Sequence, residues 1–310
     1  MKFAVDPWDP AYGASLEGEA RQSEAKVIVD VEVGADAWAP IAPSSSAFAP
    51  DSIVFVDGVR RLDARAWIDL GDDLATAGIF ASYAAGAVRC DGQARVVDIQ
   101  VGRGVFAPVP AGKLADVPTV HGLYTAHKTT DATPASMMYA VHQRMSECEV
   151  RIAELVRGTG ELLVLDGPLR HPHLLEAVGL VKSHDVHYLP PELDRVVARL
   201  APGERTPVFR VDAQPFSRYS WYLRLPGPAG GPWAGIARCE ATGALPVAEV
   251  RARAATVAVT LPRFASEPHK DTRAPQNLYP IAGLERELRR RLGDAGLLYR
   301  ALRAVSVSAA

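Results

Sequence analysis

Two short apolar runs each end in Asp-Gly: Ile53-Val54-Phe55-Val56-Asp57-Gly58 and Leu162-Leu163-Val164-Leu165-Asp166-Gly167. An apolar run bounded by a turn signal reads as a buried strand. Two such strands in one sheet would bring two carboxylates to one edge of the core. Ionised carboxylates held close together repel unless a cation lies between them. The chemistry this suggests is a divalent-metal site acting on a phosphodiester. Asp-Gly is also ordinary turn chemistry at a strand end, so the reading rests on the pair and on what surrounds it.

A third carboxylate comes from a helix. Thr133-Pro134 is a helix start, with Thr as N-cap and Pro in the first turn. Val141, Met145, Cys148, Ile152 and Leu155 then recur at helical spacing as one apolar stripe. Glu149 lies beside that stripe, where it can reach over a sheet edge, while Glu147 and Glu154 point away. Lys182, at the polar end of the run Ala177–His184, is placed either to hold a phosphate or carboxylate or to sit in solvent.

The elements that must position these residues follow in order. Lys26–Val33 alternates as an edge strand, and Pro40–Pro50 reads as a loop after a turn-rich start at Met1–Tyr12. Ala64–Leu70 and Ile79–Cys90 read as antiparallel partners of the first Asp strand, with Ala94–Val101 as a further strand. Gly112–Thr133 is polar and loop-like, and carries His121, His127 and Lys128. The helix and the second Asp strand come next, which implies a parallel addition to the sheet. Antiparallel strands, a helix and a strand ending in Asp is the order of a ribonuclease-H-like core.

Beyond it, His173–Glu176 reads as a helical turn and Glu192–Leu200 as a short helix. Arg205–Val211 is strand-like. Arg218–Leu225 and Trp233–Glu240 form a hairpin across Pro226–Pro232 that interleaves Arg with aromatics, a surface suited to stacked bases or to a charged outer face. Pro246–Leu261 leans to helix, Phe264–Asn277 reads as an exposed loop, and Ile281–Leu292 is a charged helix carrying Glu285, Glu287 and several arginines.

The 310 residues allow one large or two small domains, and 48% hydrophobic residues supply a sizeable core. A net charge of −2 gives no global basic field, so any nucleic-acid surface must be local. Cys90, Cys148 and Cys239 lack metal-ligand spacing and suit a reducing cytoplasm. No apolar run of membrane-spanning length is present, and none of the early residues reads as a leader.

Taken in order, the set resembles the NurA nuclease family. The resemblance spans about residues 50–295: Asp57-Gly58, the helical Glu149, Leu162–Gly167, Val178–Ser183, Arg205-Thr206-Pro207, and Tyr279-Pro280 leading into a helix. It implies an α/β fold, a ribonuclease-H-like mixed sheet flanked by helices with an added β-hairpin and C-terminal helix. The expected layout is an N-terminal arm at 1–50 and a nuclease domain at 51–310.

The resemblance further implies a Mn²⁺ (or Mg²⁺) dependent deoxyribonuclease. It would act as an exonuclease in DNA end processing, as a homodimer, with a HerA-type hexameric ATPase. Asp57, Glu149 (with Glu147 as the near alternative) and Asp166 would bind metal, with Lys182 steadying the phosphate and Tyr279 orienting the strand or a water. Arg60, Arg205, Arg218 and Arg224 are the candidate DNA contacts. The His that the family carries eight residues after its Tyr is Glu287 here, which can complete a metal shell but cannot act as an imidazole acid/base. Val59 and Pro168 also stand where the family usually has Ser. The alternative expectation is a weakly active or inactive scaffold that binds DNA or an ATPase.

Overall fold

The apolar run that starts at Ile53 does not stop at Asp57-Gly58. In the computed structural model, which describes residues 21–71, 74–109, 113–184, 186–227, 231 and 233–308, it continues as one strand to Gly71. Among the described residues the strands are β1 (Arg21–Gln22), β2 (Lys26–Ile28), β3 (Ile53–Gly71), β4 (Leu74–Cys90), β5 (Ala94–Ala107), β6 (Val117–Thr119) and β7 (Gly122–Lys128). They continue with β8 (Leu162–Asp166), β9 (Ala177–Val181), β10 (Val186–His187), β11 (Phe209–Asp212), β12 (Arg218–Arg224) and β13 (Ile236–Thr242). The α-helices are α1 (Pro134–Val156), α2 (Pro191–Arg199), α3 (Val247–Thr260), α4 (Tyr279–Arg291) and α5 (Ala295–Ser308).

Eleven strands form one mixed sheet in the order β2-β11-β12-β13-β9-β8-β3-β4-β5-β7-β6. β8 pairs β9 in parallel, as does β5 with β7, while β11, β12, β13 and β9 pair in antiparallel succession. With its helices this is the ribonuclease-H-like α/β architecture the element order implies. The chain divides into two compact units, and the division falls inside β3, between Phe55 and Val56, so both share that strand.

The first unit comprises the chain up to Phe55 with Arg89–Ala94 and Arg157–Ala282. One of its cores gathers Trp38, Leu189, Val196, Val197, Phe209, Tyr222 and Ile236. α2 supplies Val196 and Val197 as its buried side, with Pro in its first turn. Of the N-terminal arm, Lys26–Ile28 adds as an edge strand on β11, while Val29–Val33 leaves the sheet. The turn-rich Met1–Tyr12 lies outside the described residues.

The second unit comprises Val56–Val88, Arg95–Val156 and the chain from Gly283 on. The run from Ala81 to Val88 is buried throughout and mostly small, which lets neighbours approach the strand closely. A Cβ at Gly86 would lie 3.0 Å from Leu288 of α4. α1 begins where the sequence places it, with the Thr133 hydroxyl accepting from the Ser136 amide at 3.3 Å.

Several expectations need correction. Ala64–Leu70 is not a separate strand, because Gly58 keeps an extended backbone and the alternation runs on through it. The polar stretch before α1 is not a loop: β6 and β7 pair in antiparallel fashion there, and Tyr124 turns inward with 0% exposure. Gly112 itself lies outside the described residues. Leu155 leaves the α1 stripe at 68% exposure, since it falls in the last helical turn. His173–Glu176 makes turns rather than a helix, β9 ends at Val181, before Lys182, and β13 begins at Ile236 rather than Trp233. Part of the Pro226–Pro232 turn lies outside the described residues. Phe264–Asn277 is partly buried, with Asn277 at 0% and Gln276 at 2%.

Candidate metal centre

Asp57 stands inside β3 rather than at its end, and is 5% exposed. Its Oδ1 accepts from the Gly58 amide at 2.7 Å. A Cβ at Gly58 would lie 2.6 Å from Glu149 Oε1 and 2.8 Å from Met145 Cγ, so those side chains would have to shift to admit one. The α1 carboxylate therefore rests against the backbone next to Asp57, on the helix side the sequence assigned to Glu149.

Asp166 is the last residue of β8, and Gly167 turns the chain at a φ of 106°. The Gly167 amide donates to the Leu180 carbonyl at 2.8 Å, which folds the turn back onto β9. Gly179 admits this: a Cβ there would lie 2.6 Å from the Leu169 nitrogen. Just before β8, Glu161 accepts from the Ser52 hydroxyl at 2.5 Å and pairs with Arg89 at 2.8 Å. The entries of β3 and β8 are thus tied together.

Lys182 is 8% exposed and donates to the Asp166 carboxylate at 2.7 Å and to Asn277 Oδ1 at 2.8 Å. Asn277 in turn donates from Nδ2 to Asp271 at 2.7 Å. A further buried network lies behind the Asp166 turn. Glu240, fully buried, accepts from the Leu169 amide at 2.9 Å and pairs with Arg238 at 2.6 Å and Arg218 at 3.0 Å. The Arg238 guanidinium lies 4.3 Å from the Tyr188 ring centroid.

Asp57, Asp166 and Glu285 each offer a carboxylate oxygen, and these oxygens all lie within 4.8 Å of one another. Glu285 is 8% exposed. The donor set fits a hard divalent cation, because all three ligands are carboxylate oxygens. Ligands at about 2.1 Å from Mg²⁺ stand at most about 4.2 Å apart across it, so small shifts would close the set. Glu149 adjoins this group through Gly58.

Glu287 is engaged by two arginines of its own helix. Arg290 binds its carboxylate through two hydrogen bonds at 2.7 and 2.8 Å, and Arg291 through one at 2.7 Å. Those bonds pull its carboxyl down to about 2. The α4 residue that joins Asp57 and Asp166 is Glu285, two positions earlier. Tyr279 is 36% exposed, donates to Glu267 at 2.8 Å and accepts from Lys270 at 3.1 Å.

The four arginines also differ in setting. Arg60 is exposed and near His142, at 3.5 Å from its Nδ1. Arg205 is 5% exposed and spans Glu32 with two hydrogen bonds of 2.8 Å. Arg218 serves Glu240, and Arg224 donates to the carbonyls of Ala234 and Ala198. The hairpin aromatics are covered, with Trp221 at 0% and Tyr222 at 1%. Neither Trp221 nor Tyr222 therefore offers an open face to a stacked base, while Trp233 is half-buried.

Glu285 carried a legible signal. Ile281, Leu284 and Leu288 form the buried stripe of α4, and Glu285 falls within it at helical spacing. A glutamate inside an apolar stripe needs a partner or a cation. Asn277 carried no such signal, because its role depends on Lys182, far away in sequence.

A family model for the NurA domain matches residues 96–290, more than half of the chain. The matched stretch holds Glu149, Asp166, Lys182, Asn277, Tyr279, Glu285 and Glu287, and begins after Asp57. A search of curated proteins returns no match. Among the described residues no helix is long and apolar enough to cross a membrane.

Proposed function

Because the chain belongs to the NurA family, a family of nucleases, we propose that it is a divalent-metal-dependent deoxyribonuclease. The observation that carries the metal dependence is the convergence of Asp57, Asp166 and Glu285 within 4.8 Å. Bound there, Mn²⁺ or Mg²⁺ would supply charge stabilisation at the scissile phosphate and an acidified water.

In this reading the chain's own residues prepare the site. Asp57, Asp166 and Glu285 hold the cation. Lys182 fixes the Asp166 carboxylate and presents a positive charge beside it for a phosphate oxygen. Glu149, seated on Gly58, is the nearest further carboxylate for a second ligand position or for accepting the proton of a water. An exonuclease role in DNA end processing, as a dimer with a HerA-type ATPase, is the family's context and rests on membership alone.

The test is cleavage of end-labelled single- and double-stranded DNA with Mn²⁺, with Mg²⁺ and with chelator, beside the Asp57→Ala protein. Metal-dependent cleavage that the substitution abolishes supports the proposal. A folded wild-type protein that cleaves nothing under any metal would overturn it. The second reading, a scaffold without cleavage, would then take its place. It is favoured by Glu287 standing at the position of the family His, tied up by Arg290 and Arg291.

A further inference from the structure

Helix α4 ends in a basic cluster. Arg286, Arg289, Arg290 and Arg291 are all exposed, within six residues. Around them, Glu285 is turned into the metal group, leaving Glu287 as the acidic residue that Arg290 and Arg291 share. Arg290 meets Glu287 with Nε and Nη2, the fork face of its guanidinium, and Arg291 meets it with Nε. Two guanidinium groups converging on one anion is the arrangement that binds a phosphate.

The carboxylate holds this arrangement only loosely. The side chains of Arg290 and Arg291 are 68% and 53% exposed, and ion pairs so exposed contribute little to stability. A polyanion gains more from the same two groups, because every phosphate it places on an arginine releases condensed counterions. Exchange of one anion for the other therefore costs little and is favoured by nucleic acid. The end of the helix is itself anchored: Arg61 donates to the Gly293 carbonyl at 2.7 Å and Arg103 to the Leu292 carbonyl at 3.1 Å. The arginines thus project from a fixed helix end.

We propose that Arg290 and Arg291 form a backbone-phosphate subsite for nucleic acid, and that Glu287 occupies it until a phosphodiester displaces the carboxylate. This deepens the nuclease reading and rests on it, since Glu285 on the same helix belongs to the metal group. Glu287 then acts on substrate affinity as an internal competitor.

The experiment measures binding without cleavage. Labelled single-stranded DNA is titrated with the full chain in chelator, over a series of salt concentrations, by fluorescence anisotropy. Arg290→Ala/Arg291→Ala should weaken binding about tenfold and make the log K against log salt slope shallower by about one to two, as one or two lost phosphate contacts require. Glu287→Gln should tighten binding several-fold. Arg195→Ala/Arg199→Ala removes the same charge from exposed positions on α2 and should leave affinity within about twofold. Wild-type slope and affinity in the Arg290/Arg291 protein, or an equal loss in the Arg195/Arg199 protein, would overturn the subsite. Binding that holds while metal-dependent cleavage fails would sink the nuclease reading and leave the subsite standing.

Discussion

Lys182 donates to the Asp166 carboxylate across 2.7 Å, from a side chain that is 7% exposed. Its second hydrogen bond, to Asn277, holds the ammonium from the other side. This contact gives the carboxylate group one fixed positive charge of its own.

Replacing Lys182 by Met should therefore do two things. Removing one partner of a buried ion pair leaves the other uncompensated and costs about 3 kcal/mol. The urea midpoint should fall accordingly, and Mn²⁺ should restore part of the loss, since a cation again faces Asp166. An unchanged midpoint would mean that the pair carries no stability.

Asp57→Asn predicts the opposite pattern. The substitution keeps an oxygen for the Gly58 amide and removes one of three mutually repelling carboxylates. Without metal the variant should melt at or above the wild-type temperature. Added Mn²⁺ should raise the wild-type melting temperature and leave the variant nearly unmoved. Calorimetry with and without chelator reads both effects, and an equal Mn²⁺ shift in the two proteins would remove Asp57 from the ligand set.

At Gly58 any side chain meets the α1 carboxylate. Gly58→Ala puts a Cβ 2.6 Å from Glu149 Oε1 and 2.8 Å from Met145 Cγ. Overpacking of this kind costs about 1–3 kcal/mol. Adding Glu149→Ala should recover a measurable part of it. A double-mutant cycle in denaturant checks this, and strict additivity would show that the two residues do not touch in solution.

The Glu32–Arg205 pair sets a pH dependence. Burial alone would raise the Glu32 carboxyl, but hydrogen bonds from Arg205 and the Val208 amide, with the charges of Arg205 and Arg251, overcome it and hold the group below its ordinary value of 4.5. A depressed carboxyl contributes stability that is complete above the unfolded value and is lost as pH falls through the folded one. Glu32→Gln should therefore cost about 3 kcal/mol at neutral pH, as an unpaired buried Arg205 requires. The difference from wild type should shrink below pH 4.5. Parallel denaturation curves from neutral to acid pH would show it, and a constant gap would refute the linkage.

Asp57, Asp166, Glu149 and Lys182 stand out in the chain because strand and helix periodicity are local. An apolar run ending in Asp-Gly, or a glutamate beside a helical stripe, is visible within a few residues. The same local reading supported the α/β order, the start of α1 at Thr133-Pro134 and the β12–β13 hairpin. It could not settle where β3 ends, because Asp-Gly stops a strand or continues through it according to what the neighbouring strand offers.

Tertiary structure alone decided which carboxylate of α4 joins Asp57 and Asp166. Glu285 and Glu287 are two residues apart, and a helix turns them about 200° from each other. Packing of Ile281, Leu284 and Leu288 rotates Glu285 inward and leaves Glu287 to Arg290 and Arg291. It likewise decided that Arg205 and Arg218 serve buried glutamates and that Asn277 holds Lys182. Those pairings join residues far apart in sequence. The energy of a buried charge depends on the partner the fold brings to it, and no local pattern encodes that partner.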